Sequence, residues 1–143
     1  MSVEAILKNK GSNVFTIRQE HSLAETATLL STKKVGVAVV TDAKGKIVGV
    51  VSERDIVKAL AQYGKGALEM PVRNIMSSPA LTCTIADNAK HVLEIMTDRR
   101  VRHLPVVDGD ELIGIVSIGD AVNFRLQQAQ TEMGVLRDYA ATR

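Results

Sequence analysis

The chain has 143 residues, 45% of them apolar and 24% charged, with a net charge of +2. That is the make-up of an ordinary globular chain, long enough for one compact domain or two small halves. Two Phe, two Tyr, no Trp and no basic block argue against nucleic acid as a partner. No apolar run approaches the roughly 18 residues that a bilayer-spanning helix needs. The start, MSVEAILKNKG, mixes acid and base without the apolar stretch of a signal peptide. The single Cys83 leaves no partner for an intrachain disulfide, and a cytoplasmic setting is the expectation. No His, Cys and Asp grouping has metal-ligand spacing, so no structural metal is expected.

In chain order, VEAIL (Val3 to Leu7) is a lead-in, and Thr16 with Ile17 belongs to a short extended piece. Ser22 is a candidate N-cap for a helix whose apolar positions are Leu23, Ala24, Ala27 and Leu30. Two short apolar runs follow, VGVAVV from Val35 and IVGVV from Ile47, with a turn at Asp42 to Gly45. Runs that short and rich in valine and isoleucine predict buried strands. Ser52 then opens a second helix. The segment Gln62 to Pro71, with two glycines and a proline, is the best candidate linker.

After it the pattern returns. VRNIM from Val72 resembles VEAIL, Thr84 and Ile85 take the place of Thr16 and Ile17, and Asp87 is the predicted N-cap of a helix over Ala89, Val92, Leu93 and Met96. HLPVV and LIGIV are the strands, Asp108 and Gly109 their turn, and Ser117 opens the last helix. KIVGVVSERDIV matches ELIGIVSIGDAV at a shift of 65, and VGVAVVTD matches VRHLPVVD at a shift of 66. The chain is thus an internal repeat of β-α-β-β-α units. A sheet of two or three strands cannot cover both faces alone, so the two units are expected to pack on each other. The boundaries are 1–63 and 72–126 for the units, 64–71 for the linker and 127–143 for a helical extension. Val122, Leu126, Ala129, Met133, Leu136 and Ala140 form a heptad seam on that helix, predicting contact with another chain, with Gly134 as a point of fraying or bending.

Strand, glycine, strand and Ser-x-x-Asp helix, given twice, with RHLPVVDGDELIGIVSIGD in the second copy, resembles the CBS domain, named after cystathionine β-synthase. Two in tandem resemble a CBS pair, or Bateman module, over Val3 to about Leu126. The first copy departs from the pattern: Gly36, Val37 and Val39 stand where Arg102, His103 and Pro105 stand in the second. The resemblance implies an α/β (α+β) fold of two repeats related by pseudo-twofold symmetry, with a long C-terminal helix. It implies a regulatory module, not an enzyme, that holds an adenine nucleotide (AMP, ADP or ATP, with NAD(H) as a further candidate), forms a homodimer and acts on an effector protein. Neither Gly-x-Gly-x-x-Gly nor a Walker A loop occurs.

The Ser-x-x-Asp device has two physical readings. Serine at a strand-to-helix junction with an acid three residues on is a capping box. The same helix N-terminus attracts phosphate, and a carboxylate one turn inside it is an acceptor for two sugar hydroxyls. The resemblance assigns the ribose to Asp55 and Asp120, with Ser52 and Ser117 beside them. Arg102, His103 and Arg54 are the candidate phosphate-binding groups. Gly36, Val37, Ala38, Leu104 and Pro105, with Asn13 to Phe15 and Pro79 to Leu81 (Ala80 among them), are the candidate walls for adenine. Because the copies differ at Arg102 and His103, the two clefts are expected to prefer different ligands, one AMP and the other a larger dinucleotide. Two other readings remain: an interaction adaptor whose Ser and Asp are only caps, and an S-adenosylmethionine binder.

Overall fold

The computed structural model describes residues 2–141. The element order is α1 (Val3–Lys10), β1 (Thr16–Arg18), α2 (Leu23–Lys33), β2 (Val37–Thr41), β3 (Ile47–Ser52), α3 (Glu53–Tyr63), α4 (Ala89–Arg99), β4 (His103–Asp108), β5 (Glu111–Ser117) and α5 (Ile118–Ala141). β2 lies between β1, which is parallel to it, and β3, which is antiparallel. β4 and β5 form an antiparallel pair. The counterpart of β1 in the second half shrinks to a single bridge from Cys83 to Val106, so the expected extended piece at Thr84 and Ile85 is not a full strand. Cys83 is a core residue, and burial first, with Asp87 second, pushes its thiol up to about 12.

Local chemistry explains most boundaries. Ser22 caps α2 in a reciprocal box with Glu25. The cap of α4 is Asn88, not Asp87, whose carboxylate instead accepts the Thr84 amide at 2.8 Å and shapes the preceding turn. α2 and α4 both end on a non-glycine residue in the left-handed region, Lys34 at φ 56° and Arg100 at φ 55°. The candidate linker is not slack: Gly64–Glu69 forms a 3-10 helix whose Ala67 is fully buried in the first half's core. α5 runs through Gly134 without a break. Its predicted seam faces outward, with Leu126, Met133 and Leu136 more than half exposed.

The two cores do not follow the sequence division. Val3, Ile6 and Leu7 of α1 pack with Val92, Met96, Leu104 and Val116, all of the second half. Val72, Ile75 and Met76 pack with Leu23, Val40 and Val51 of the first half. The backbone bonds show the same exchange. Val3 and Glu4 donate to the carbonyls of Asp87 and Ile85 at 2.8 and 3.2 Å, and Val72 and Arg73 donate to those of His21 and Gln19 at 2.7 and 3.1 Å. Each lead-in therefore crosses to the other half, a reciprocity that a twofold relation requires.

The glycine in each IVGVV or LIGIV strand makes room for this crossing. A Cβ on Gly49 would lie 2.6 Å from Met76 Sδ and 2.8 Å from the Ser77 carbonyl oxygen. A Cβ on Gly114 would lie 3.0 Å from Leu7 Cδ2 and meets only the end of that side chain. Overpacking costs about 1–3 kcal/mol, more where backbone must move. Gly49→Ala is expected at or above the top of that range and Gly114→Ala near the bottom, measured by urea unfolding; equal losses would contradict this account. Ile6 is 1% exposed, so Ile6→Ala should destabilise the fold by about 2–5 kcal/mol, although it precedes both sheets in the chain.

Candidate functional site

Each Ser-x-x-Asp motif sits where a strand turns into a helix, at the C-terminal end of β3 and of β5. Ser52 Nα and Oγ donate to Asp55 Oδ2 at 2.8 and 3.1 Å, while the Asp55 amide donates to Ser52 Oγ at 3.3 Å. Ser117 Nα donates to Asp120 Oδ2 at 2.9 Å and the Asp120 amide to Ser117 Oγ at 3.0 Å. The amides that open the two helices are also engaged: Glu53 donates to the Gly36 carbonyl at 2.9 Å and Ile118 to that of Arg102 at 2.8 Å. Both motifs are capping boxes. Much of the donor set expected for a phosphate at the helix N-termini is taken by these internal partners, which gives side-chain cations the larger share in holding an anion.

Two open clefts flank the junction of the halves. The first has a volume of about 480 Å³. The first-half helix start supplies Ser52, Glu53, Arg54 and Asp55, the lead-in of the second half supplies Ser77, Pro79, Ala80 and Leu81, and the segment entering β4 supplies Arg100, Arg102 and His103. The second, of about 340 Å³, is the counterpart: Ser117 and Asp120 from α5's start, Lys10, Asn13 and Phe15 from the first lead-in, and Val35, Gly36 and Val37 from the entry to β2. Gly36 and His103 border both.

Most of the sequence candidates thus meet. Ser52, Arg54, Asp55, Ala80, Arg102, His103 and Gly36 share one cleft, and Gly36, Val37, His103, Ser117 and Asp120 the other. Three do not belong to either: Ala38 and Leu104 are wholly buried in the cores, and Pro105 is buried beside them. Alternation along β2 and β4 does not reopen a face to solvent there, because both strands are covered on both sides. Arg102 belongs to the second copy but lines the cleft of Asp55 of the first, while His103 borders both clefts.

Among the polar and charged lining residues, sequence reasoning missed four: Lys10, Glu53, Ser77 and Arg100. Ser77 follows its lead-in by one residue and Lys10 by three, so the repeat does not pair them, and only the exchange of those segments brings them to the aspartates. Ser77 Oγ donates to Asp55 Oδ1 at 3.4 Å, and Lys10 Nζ donates to Asp120 Oδ2 at 2.6 Å. The clefts therefore differ in charge. Three guanidinium groups (Arg54, Arg100 and Arg102) oppose the carboxylates of Glu53 and Asp55 in the first. In the second, Lys10 and Asp120 neutralise each other.

The ionisable groups respond accordingly. Burial would raise the Asp120 carboxyl, but the hydrogen bonds from Lys10 and the Ser117 amide outweigh it and hold it below the usual aspartate range. Burial lowers His103 below the usual histidine value. Asp120 and Asp55 pull it back up, while Lys10 and Arg102 push it further down. Among the described residues no group of His, Cys, Asp and Glu is placed to hold a metal ion, and no helix is long and apolar enough to cross a membrane.

Solved structures share this architecture. A CBS-domain containing protein of Agrobacterium tumefaciens is 39% identical, covers 87% of this chain and 99% of its own, and superposes with a TM-score of 0.81. A CBS domain protein of Pyrobaculum aerophilum, solved in complex with AMP, is 32% identical over 84% of this chain and 89% of its own, with a TM-score of 0.73. The CBS domain pair of protein MJ0100, solved with 5′-methylthioadenosine and S-adenosyl-L-methionine, is 27% identical over 90% of this chain and 98% of its own, with a TM-score of 0.77. Among curated relatives, an uncharacterised protein of Thermofilum pendens is 33% identical over 71% of this chain, and the chain spans 33% of its length. It spans 56% of another, from Methanopyrus kandleri, at 31% identity. The CBS domain profile matches residues 4–62 and 72–126, both units of the repeat, and the chain belongs to the CBS-domain family.

Proposed function

We propose that this chain is a regulatory ligand-binding module that senses an adenosine-bearing nucleotide in the cleft of Asp55 and passes its state to a partner protein. The observation that carries the reading is the grouping of Asp55 with Arg54, Arg100 and Arg102 around one cavity of about 480 Å³. A carboxylate accepts both neighbouring hydroxyls of a ribose, and guanidinium groups take a phosphate with paired donors. Pro79, Ala80 and Leu81 offer the flat apolar side on which adenine would lie. The AMP-bound Pyrobaculum protein supports the ligand class.

The MJ0100 complex raises S-adenosylmethionine as a second ligand for such a fold. Its sulfonium is a cation, and three arginines line the Asp55 cleft here. Their charge favours a phosphate-bearing nucleotide, AMP first and the larger ADP, ATP or NAD(H) next. Binding regulates a partner only through a difference in affinity between two arrangements of the halves. The outward seam of α5 is the surface we assign to a second copy of the chain, and the setting is cytoplasmic.

Titration calorimetry with AMP, ADP, ATP, NAD(H) and S-adenosylmethionine tests the ligand. AMP should bind, and S-adenosylmethionine more weakly. Hydrogen bonds to a charged group contribute about 1.5–3 kcal/mol, so Asp55→Asn should weaken AMP by roughly tenfold to a hundredfold. A variant that melts earlier but binds AMP unchanged would reduce Asp55 to a helix cap. Arg102→Ala should weaken AMP and flatten the dependence of its affinity on salt, because an arginine–phosphate contact at an open site is screened. Unaltered salt dependence would remove Arg102 from the site.

A further inference from the structure

In the second cleft the carboxylate that matches Asp55 already has an occupant from the same chain. Lys10 is the last residue of α1, the helix that crosses to the second half. Its ammonium donates to Asp120 Oδ2 at 2.6 Å and to the Ile115 carbonyl at 2.8 Å. The two side chains are only 29% and 24% exposed, so the pair is partly shielded from water. Asp120 Oδ2 also accepts the Ser117 amide, and the neighbouring Asn13, Phe15, Gly36 and Val37 carry no charge. At Asp55 the residue that the opposite lead-in brings to the carboxylate is Ser77, whose hydroxyl reaches it at 3.4 Å. That contact is neutral and long, and a sugar hydroxyl can take its place without stranding a charge.

We propose that Lys10 is a specificity-determining residue that closes the Asp120 cleft to nucleotides and leaves Asp55 as the single ribose site of the chain. The inference rests on the nucleotide reading of the Asp55 cleft. A ribose entering at Asp120 must exchange a charge-assisted bond for neutral ones. The displaced ammonium then faces a cleft whose lining holds no second carboxylate among the described residues. His103, the other ionisable wall, is an alternative donor and no acceptor for that charge once protonated. The asymmetry of the halves thus lies in a lysine facing Asp120 where a serine faces Asp55, beyond the arginines that differ in the repeat.

Calorimetric titration of the full chain with AMP, read as sites per chain, tests this. The wild type should bind one AMP, and Lys10→Met and Lys10→Gln two. Lys10→Met combined with Asp120→Asn should return to one. Asp55→Asn should weaken the wild-type site by roughly tenfold to a hundredfold, and adding Lys10→Met to it should restore one tight site. Lys10→Gln keeps length and polarity should the methionine variant fold poorly, and thermal unfolding of each variant checks the fold. Two sites in the wild type would overturn the proposal. So would an unchanged count in a folded Lys10 variant, or a loss of binding, which would make Lys10 a phosphate ligand instead. Those results leave the nucleotide reading standing, whereas no AMP binding by any variant overturns both.

Discussion

A side chain resting on a glycine, twice, is the constraint from which the rest of this molecule follows. Met76 lies on Gly49 and Leu7 on Gly114 at distances no Cβ would allow without displacement. Each contact joins a lead-in to a strand of the opposite half, so neither core is complete from its own stretch of sequence. The exchange buries Val3, Ile6 and Val72. It also fixes the separation of the halves, because the residues just after each crossing run directly beneath the other half's Ser-x-x-Asp turn. Burial of apolar surface drives the crossing, and the cleft geometry is its by-product.

From this the inequality of the clefts follows. A twofold relation gives each aspartate one residue from the opposite lead-in. That residue is Ser77 at Asp55 and Lys10 at Asp120, two positions that the repeat does not pair. It then adds Arg54, Arg100 and Arg102 to the serine side. Arg100 is there because α4 ends in a left-handed turn, an uncommon state for a residue with a side chain. One cleft has positive charge to spare, and the other is closed on itself. Gly36 and His103, which border both clefts, are where a ligand on one side meets the wall of the other.

Much of this was legible in the residues. The strands and helices follow from short valine-rich runs, from Ser22 and Ser52 as caps, and from the repeat itself. The pairing of Ser52 with Asp55 and of Ser117 with Asp120 needs only a spacing of three on a helix start. What the residues do not display is which half a lead-in joins. VEAIL and VRNIM look alike, so periodicity cannot say that each crosses over. For that reason the pattern picks out neither Lys10 nor the cleft that Arg102 joins. The burial of Ala38, Leu104 and Pro105 is hidden for a related reason: an apolar strand beside a site looks the same whether it walls the cleft or lies behind it. The cap of α4 moved by one residue because Asp87 and Asn88 are both good N-caps, and the Thr84 amide claims the aspartate.

A crystal structure of the chain grown with AMP tests the account most directly. It should place the ribose on Asp55 and the phosphate toward Arg54 and Arg102, with Lys10 still bound to Asp120. Nucleotide seated on Asp120 with Lys10 turned away, or found outside both clefts while Asp55 holds only Ser52 and Ser77, would contradict it.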